Sequence, residues 1–289
     1  NLHLLRISTA NLFKKKVAEI ACFIYIFNPY TYFYSLSGGI TNYTLFGVTF
    51  ILWIFTRSIK SGYKITESKK IANILLISIG TIYLSLLRPS GSIFSIIILF
   101  LLIYKIIKNS ILNNKFKTKG FLKIALLTSS LIIVIYNFNY SLKYSILGIK
   151  SFANEGGQFF GYSRDLLRSK LIFDTSNFFY NFKNFVYFIL WKITDFVSGI
   201  SDIRDTHSAT SFESIFPFVI RTFTGIFILF PTNLFSFLGL VINFKIILNN
   251  DMWIIILASL FAISPSLIGI AQSRYLIMFY TPFIIFAAK

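Results

Sequence analysis

Acid is scarce in this sequence, and so are the side chains that ordinarily assemble a metal centre. The 289 residues include 10 Asp and Glu, 2 His and 1 Cys. A single cysteine excludes an internal disulfide, and Cys22 sits in an apolar run where it reads as a small buried hydrophobe. His3 and His207 alone could supply imidazole, which argues against a zinc site built from nitrogen and sulfur ligands. There is no Gly-rich phosphate loop, because Gly156-Gly157 followed by Gly161 lacks the fingerprint spacing. Neither a Gly-x-Ser-x-Gly elbow nor His-Glu-x-x-His occurs, so a serine hydrolase or a zinc protease has no support. An Asp-x-Asp pair, which many cytoplasmic sugar-nucleotide transferases use, is also missing. No signal peptide with a cleavage site, soluble domain or internal repeat is evident, and both ends read as cut, so a fragment is expected.

Apolar residues fill the space those absences leave. They make up 55% of the chain and aromatic residues 19%, against 13% charged, and the mean hydropathy is +0.72. That balance defines a polytopic membrane protein. The formal charge of +18 would suggest nucleic acid in a soluble protein. Here most lysines fall in short connections between apolar runs, which is the pattern of loops kept on the cytoplasmic side, and no nucleic-acid partner is expected. Heavy use of Ile, Phe, Lys and Asn also fits a biased genome.

The lysines set the parity of the spans. Asn1 to Lys16 reads as the cytoplasmic end of a span, closing on Lys14, Lys15 and Lys16. Val17–Ser35 crosses outward, its aromatic far half suited to the headgroup level, and Gly38-Gly39 turns the chain. Tyr43–Thr56 returns to a loop with Arg57, Lys60, Lys64, Lys69 and Lys70. Ile71–Leu87 crosses outward to a tight turn, Arg88-Pro89-Ser90-Gly91, and Ile93–Tyr104 returns to a second lysine loop. Phe121–Tyr136 crosses outward again. Residues 137–232 then form one large extracytoplasmic loop region, in which Phe178–Val197 and Ile215–Phe230 read as interfacial or re-entrant helices. Asn233–Leu248 crosses inward, Met252–Ile270 outward, and Tyr275–Lys289 begins a return. The expected fold class is therefore all-α: a single transmembrane domain over 1–289, with about eight spans and one outer loop, in the cytoplasmic (inner) membrane.

Seven of the ten carboxylates fall in the outer loop region: Glu155, Asp165, Asp174, Asp195, Asp202, Asp205 and Glu213. Glu155 and Asp165 follow the fifth span closely, where a carboxylate can act as general base for a sugar hydroxyl, or simply be a solvated loop residue. The cluster Asp202-Ile203-Arg204-Asp205 offers oxygen ligands, but Arg204 suffices to neutralise them, and no metal is assigned. Arg88 and Arg274 lie at the outer ends of two spans. Each can snorkel at the headgroups or clamp the phosphate of a lipid-linked substrate with its donor fork. Arg221 is a third such candidate. No run of charges occupies a span interior, which weakens a transporter or channel.

Several short motifs fall at matching places. Asn28-Pro29-Tyr30 with Phe33-Tyr34-Ser35, Leu86-Leu87-Arg88-Pro89, the large outer loop, and Ser273-Arg274-Tyr275-Leu276 before Pro282 together resemble the C-type membrane glycosyltransferases. The nearest branch is that of bacterial surface-glycan enzymes, similar in plan to aminoarabinose and protein O-mannosyl transferases. The resemblance implies a polyprenyl-phosphate sugar donor, a glycan or lipid acceptor, inverting transfer at the outer face and no soluble cofactor. It also implies a catalytic aspartate in an outer loop preceding Asn1, and phosphate contacts from Arg88 and Arg274. Two alternatives stand beside it: an oligosaccharide repeat-unit polymerase of O-antigen type, and a lipid or glycan transporter, for which matched broken helices are lacking.

Overall fold

The structure is a computed structural model, and it describes residues 1–28, 40–60, 66–112, 118–154, 230–268 and 279–289, with isolated positions at 223 and 227–228. Among the described residues every regular element is an α-helix. In chain order these are α1 (Leu2–Leu12), α2 (Lys15–Phe27), α3 (Ile40–Lys60), α4 (Glu67–Leu87) and α5 (Pro89–Leu112). They continue with α6 (Thr118–Asn154), α7 (Phe230–Ile242), α8 (Phe244–Asn249), α9 (Met252–Ile268) and α10 (Thr281–Ala287).

Local sequence explains the sharpest boundaries. Pro89 disfavours helical backbone in the residue before it, so Arg88 is extended, with φ −156° and ψ 153°, and α4 stops there. Proline also suits the first helical position, so α5 begins at once. The expected turn Arg88-Pro89-Ser90-Gly91 is thus narrower than its sequence suggested: Arg88 alone is the corner, and Pro89 to Gly91 form the first turn of α5. Asn243 interrupts what reads as one span over 233–248. Its Nδ2 donates back to the Gly239 carbonyl at 2.8 Å, its backbone leaves the helical region, and two helices, α7 and α8, replace the single one. α6 continues past Tyr136, the expected end of that helix, to Asn154.

Paired contacts fix the register. Gly47 lies against Leu84 and Gly80 against Ile51, so α3 and α4 are antiparallel. Ser92 bonds back to Ser85 and Ser95 to Thr81, which makes α4 and α5 antiparallel too. Lys123 reaches Glu67 and Asn137 reaches Ser85, so α6 runs parallel to α4. Lys105, near the end of α5, pairs with Asp251 at the start of α9. One end of the bundle therefore collects the starts of α4, α6 and α9 and the ends of α3 and α5.

Small hydroxylated side chains share the interior with an apolar core, while many large apolar side chains face outward. Thr44, Thr49, Thr56, Thr81, Ser85, Ser92 and Ser95 are wholly buried, beside an apolar core that includes Ile51, Leu84, Phe94 and Met252. Large apolar side chains point outward instead: Phe121 is 67% exposed, Tyr136 72% and Ile242 79%. Three helical stretches, Glu67–Leu87, Pro89–Ile111 and Thr118–Tyr140, are long and apolar enough to cross a membrane, and α7 and α9 contribute shorter apolar stretches.

Candidate functional site

Beneath Arg88 three helices are tied together by small polar groups. Asn137 of α6 donates from Nδ2 to Ser85 Oγ at 2.9 Å, while the Ser85 hydroxyl itself donates to the Ile82 carbonyl at 2.7 Å. From α5, the Ser92 hydroxyl donates to the Ser85 carbonyl at 3.2 Å, and Ser95 donates to the Thr81 carbonyl at 2.8 Å. These bonds satisfy groups that would otherwise be costly to bury. Gly91 lets the backbones close in: a Cβ there would stand 2.3 Å from the Leu84 carbonyl oxygen. Arg88 itself is half-buried, and its carbonyl accepts the Ser92 backbone N–H at 3.1 Å.

Electrostatically this corner stands apart. Lys69, Lys70, Lys105, Lys108, Lys119 and Lys123 all belong to the opposite end, as their helix positions and the ion pairs there require. Glu67 accepts from Lys123 at 2.6 Å and from Lys70 at 2.8 Å. Arg88 is the cation at the corner itself, and α6, which continues parallel to α4, carries Lys143 and Lys150 further along.

A second polar seam lies deeper, where α10 meets α3 and α7. Thr49 and Thr281 hydroxyls are 3.3 Å apart, and Ser236 Oγ lies 3.2 Å from the Tyr280 hydroxyl. Backbone contact is close here as well, since a Cβ on Gly239 would stand 2.0 Å from the Phe286 carbonyl oxygen. This seam anchors the chain that follows Arg274.

Of the residues singled out from sequence, Arg88 alone falls among the described residues. Glu155, Asp165, Arg221 and Arg274 lie outside them, as do the cluster at 202–205, the interfacial segment Phe178–Val197 and the aromatic stretch 29–35. No group of three or more His, Cys, Asp or Glu comes together among the described residues. Ser85, Ser92 and Asn137 were not singled out from sequence. Their signal was there in retrospect: Ser78, Thr81 and Ser85 recur at helical spacing in α4, facing Ser92 and Ser95 across the corner at Arg88. No family model matches the chain, and no curated protein or solved structure is similar to it.

Proposed function

We propose that this chain belongs to a multi-pass membrane glycosyltransferase that moves a sugar from a polyprenyl-phosphate carrier to a glycan or lipid acceptor. The reaction takes place at the outer face of the cytoplasmic membrane. Membrane insertion is supported by three long apolar helices, by large apolar side chains that face outward and by hydroxylated ones that lie between helices. In a bilayer, apolar faces gain nothing by pairing, so helices associate through small and hydroxylated residues, while Phe, Ile and Leu face lipid. The lysine-bearing end then faces the cytoplasm, and Arg88 the opposite side.

The observation that carries the catalytic proposal is the place of Arg88, at the α4–α5 corner opposite the end where Glu67 and Asp251 pair with lysines. A guanidinium held at a rigid helix corner, away from the lysine belt, presents a fixed donor fork at the depth where a lipid-linked phosphate sits. During transfer the acceptor hydroxyl loses its proton to a carboxylate, with Glu155 and Asp165 as candidates within this chain. The new bond forms at the anomeric carbon while the bond from that carbon to the phosphate oxygen breaks. The departing polyprenyl phosphate gains negative charge, and Arg88, with Arg274 and Arg221, stabilises it more than it stabilises the donor.

Arg88→Ala in the complete protein is expected to lower transfer by on the order of 10²-fold or more, as for loss of one charge-stabilising donor. Lipid-linked donor should accumulate, and membrane insertion should be unchanged. Arg88→Lys keeps the charge but loses the fork, so it should fall between the two. Surface glycan at normal levels in the Ala variant would remove Arg88 from the reaction.

A further inference from the structure

The opposite end of the bundle carries more cation than the carboxylates among the described residues neutralise. Two carboxylates lie there among the described residues, and both are already engaged: Glu67 with Lys70 and Lys123, and Asp251 with Lys105. Lys69 at the start of α4, Lys108 near the end of α5 and Lys119 at the start of α6 are exposed, and none pairs with a carboxylate among the described residues. They sit close together. Ser110 Oγ lies 3.9 Å from the position a Cβ on Gly120 would take, which brings the α5 end against the α6 start. The Lys123–Glu67 pair brings α4 to the same place.

We infer that this lysine-bearing end is a docking surface for anionic phospholipid headgroups, with Lys69, Lys108 and Lys119 as its centre. Charge complementarity selects the partner. Among the described residues the two carboxylates of this end are engaged, the surplus ammonium groups project where the helices leave the apolar slab, and a layer of phosphodiesters supplies charge of the opposite sign there. Ammonium groups on flexible stems suit a surface of mobile phosphates, whereas the fixed fork of Arg88 suits one bound phosphate. This surface rests on the membrane placement proposed above and is independent of the transfer chemistry.

The test uses the full chain in nanodiscs of phosphatidylcholine, with or without phosphatidylglycerol, read by the thermal unfolding midpoint. Phosphatidylglycerol should raise the midpoint, and added salt should shrink the rise. The combined variant Lys69→Gln, Lys108→Gln and Lys119→Gln should lose most of it, while the same three positions changed to Arg should keep it. Equal midpoints in the two lipids, or an undiminished rise in the Gln variant, would overturn the surface. So would soluble glycerol phosphate producing the same rise in phosphatidylcholine, since that would mean a free-anion site. An alkaline wash of native membranes separates the two proposals. Release of the chain defeats the membrane placement and this surface together, whereas retention without any headgroup preference defeats the surface alone.

Discussion

Asp251 is strained and charged at once. Its φ of 59° is the one positive value at a non-glycine residue among the described residues, and its side chain pairs with Lys105. Asp and Asn tolerate this backbone because their short polar side chains bond locally, whereas Ala does not. The ion pair is more than a third exposed on both sides, so it contributes only about 0.2–1 kcal/mol. Asp251→Asn should therefore lower stability slightly, and Asp251→Ala should cost about 1–2 kcal/mol more, through the backbone. Thermal unfolding of both variants in the same detergent checks this, and equal midpoints would show that the turn carries no strain. Arg88 illustrates the other half of the residue scale. Its position at a helix end was legible from Arg88-Pro89, because proline dictates the backbone before it. Its place above the Ser85–Asn137 seam was not, because that depends on which helices lie beside it.

At the scale of elements, helix contact is set by what is missing from a side chain. Gly239 permits α7 to lie against the backbone of α10, and any larger residue must push the two apart. Gly239→Leu should cost about 1–3 kcal/mol by overpacking and should loosen the Ser236 to Tyr280 contact. Loss of protection from proteolysis around α10, with α4 and α5 unaffected, is the expected signature. Protection unchanged throughout would mean that α7 is held elsewhere. Apolar runs showed where helices lie, and α4 keeps the expected end at Leu87. Their other ends were harder to read. Polar residues such as Lys119 and Asn139 lie beyond the expected limits of the α6 span, Phe121 and Tyr136, yet the helix includes both, since backbone bonding continues where nothing breaks it. The division at Asn243 was invisible because one amide bonding back to Gly239 leaves no trace in hydropathy.

At the scale of the whole molecule, the decisive property is that, among the described residues, Glu67, Asp251 and the lysines that pair with them share one end of the helices. The alternation of expected spans was read from lysine positions alone, and the pairing of Lys105 with Asp251 brings the 249–251 turn to the lysine-bearing helix ends, as that reading expects. What pattern could not supply is the lateral order: that α4 and α6 are parallel neighbours, or that α10 lies against both α3 and α7. The sorting has a direct check. In a Cys22→Ser background, a cysteine at Ser90 should react with a membrane-impermeant maleimide on intact cells, and one at Lys119 only after the cells are opened. Reaction of both on intact cells would sink the placement. The length of α6 has a consequence of its own. Its 37 residues amount to about 55 Å of helix, and the part beyond Asn137 to about 25 Å. The helix thus rises as a tall mast above the seam at Ser85, and the transfer proposed above requires any carboxylate that follows Asn154 to return over that height to reach Arg88.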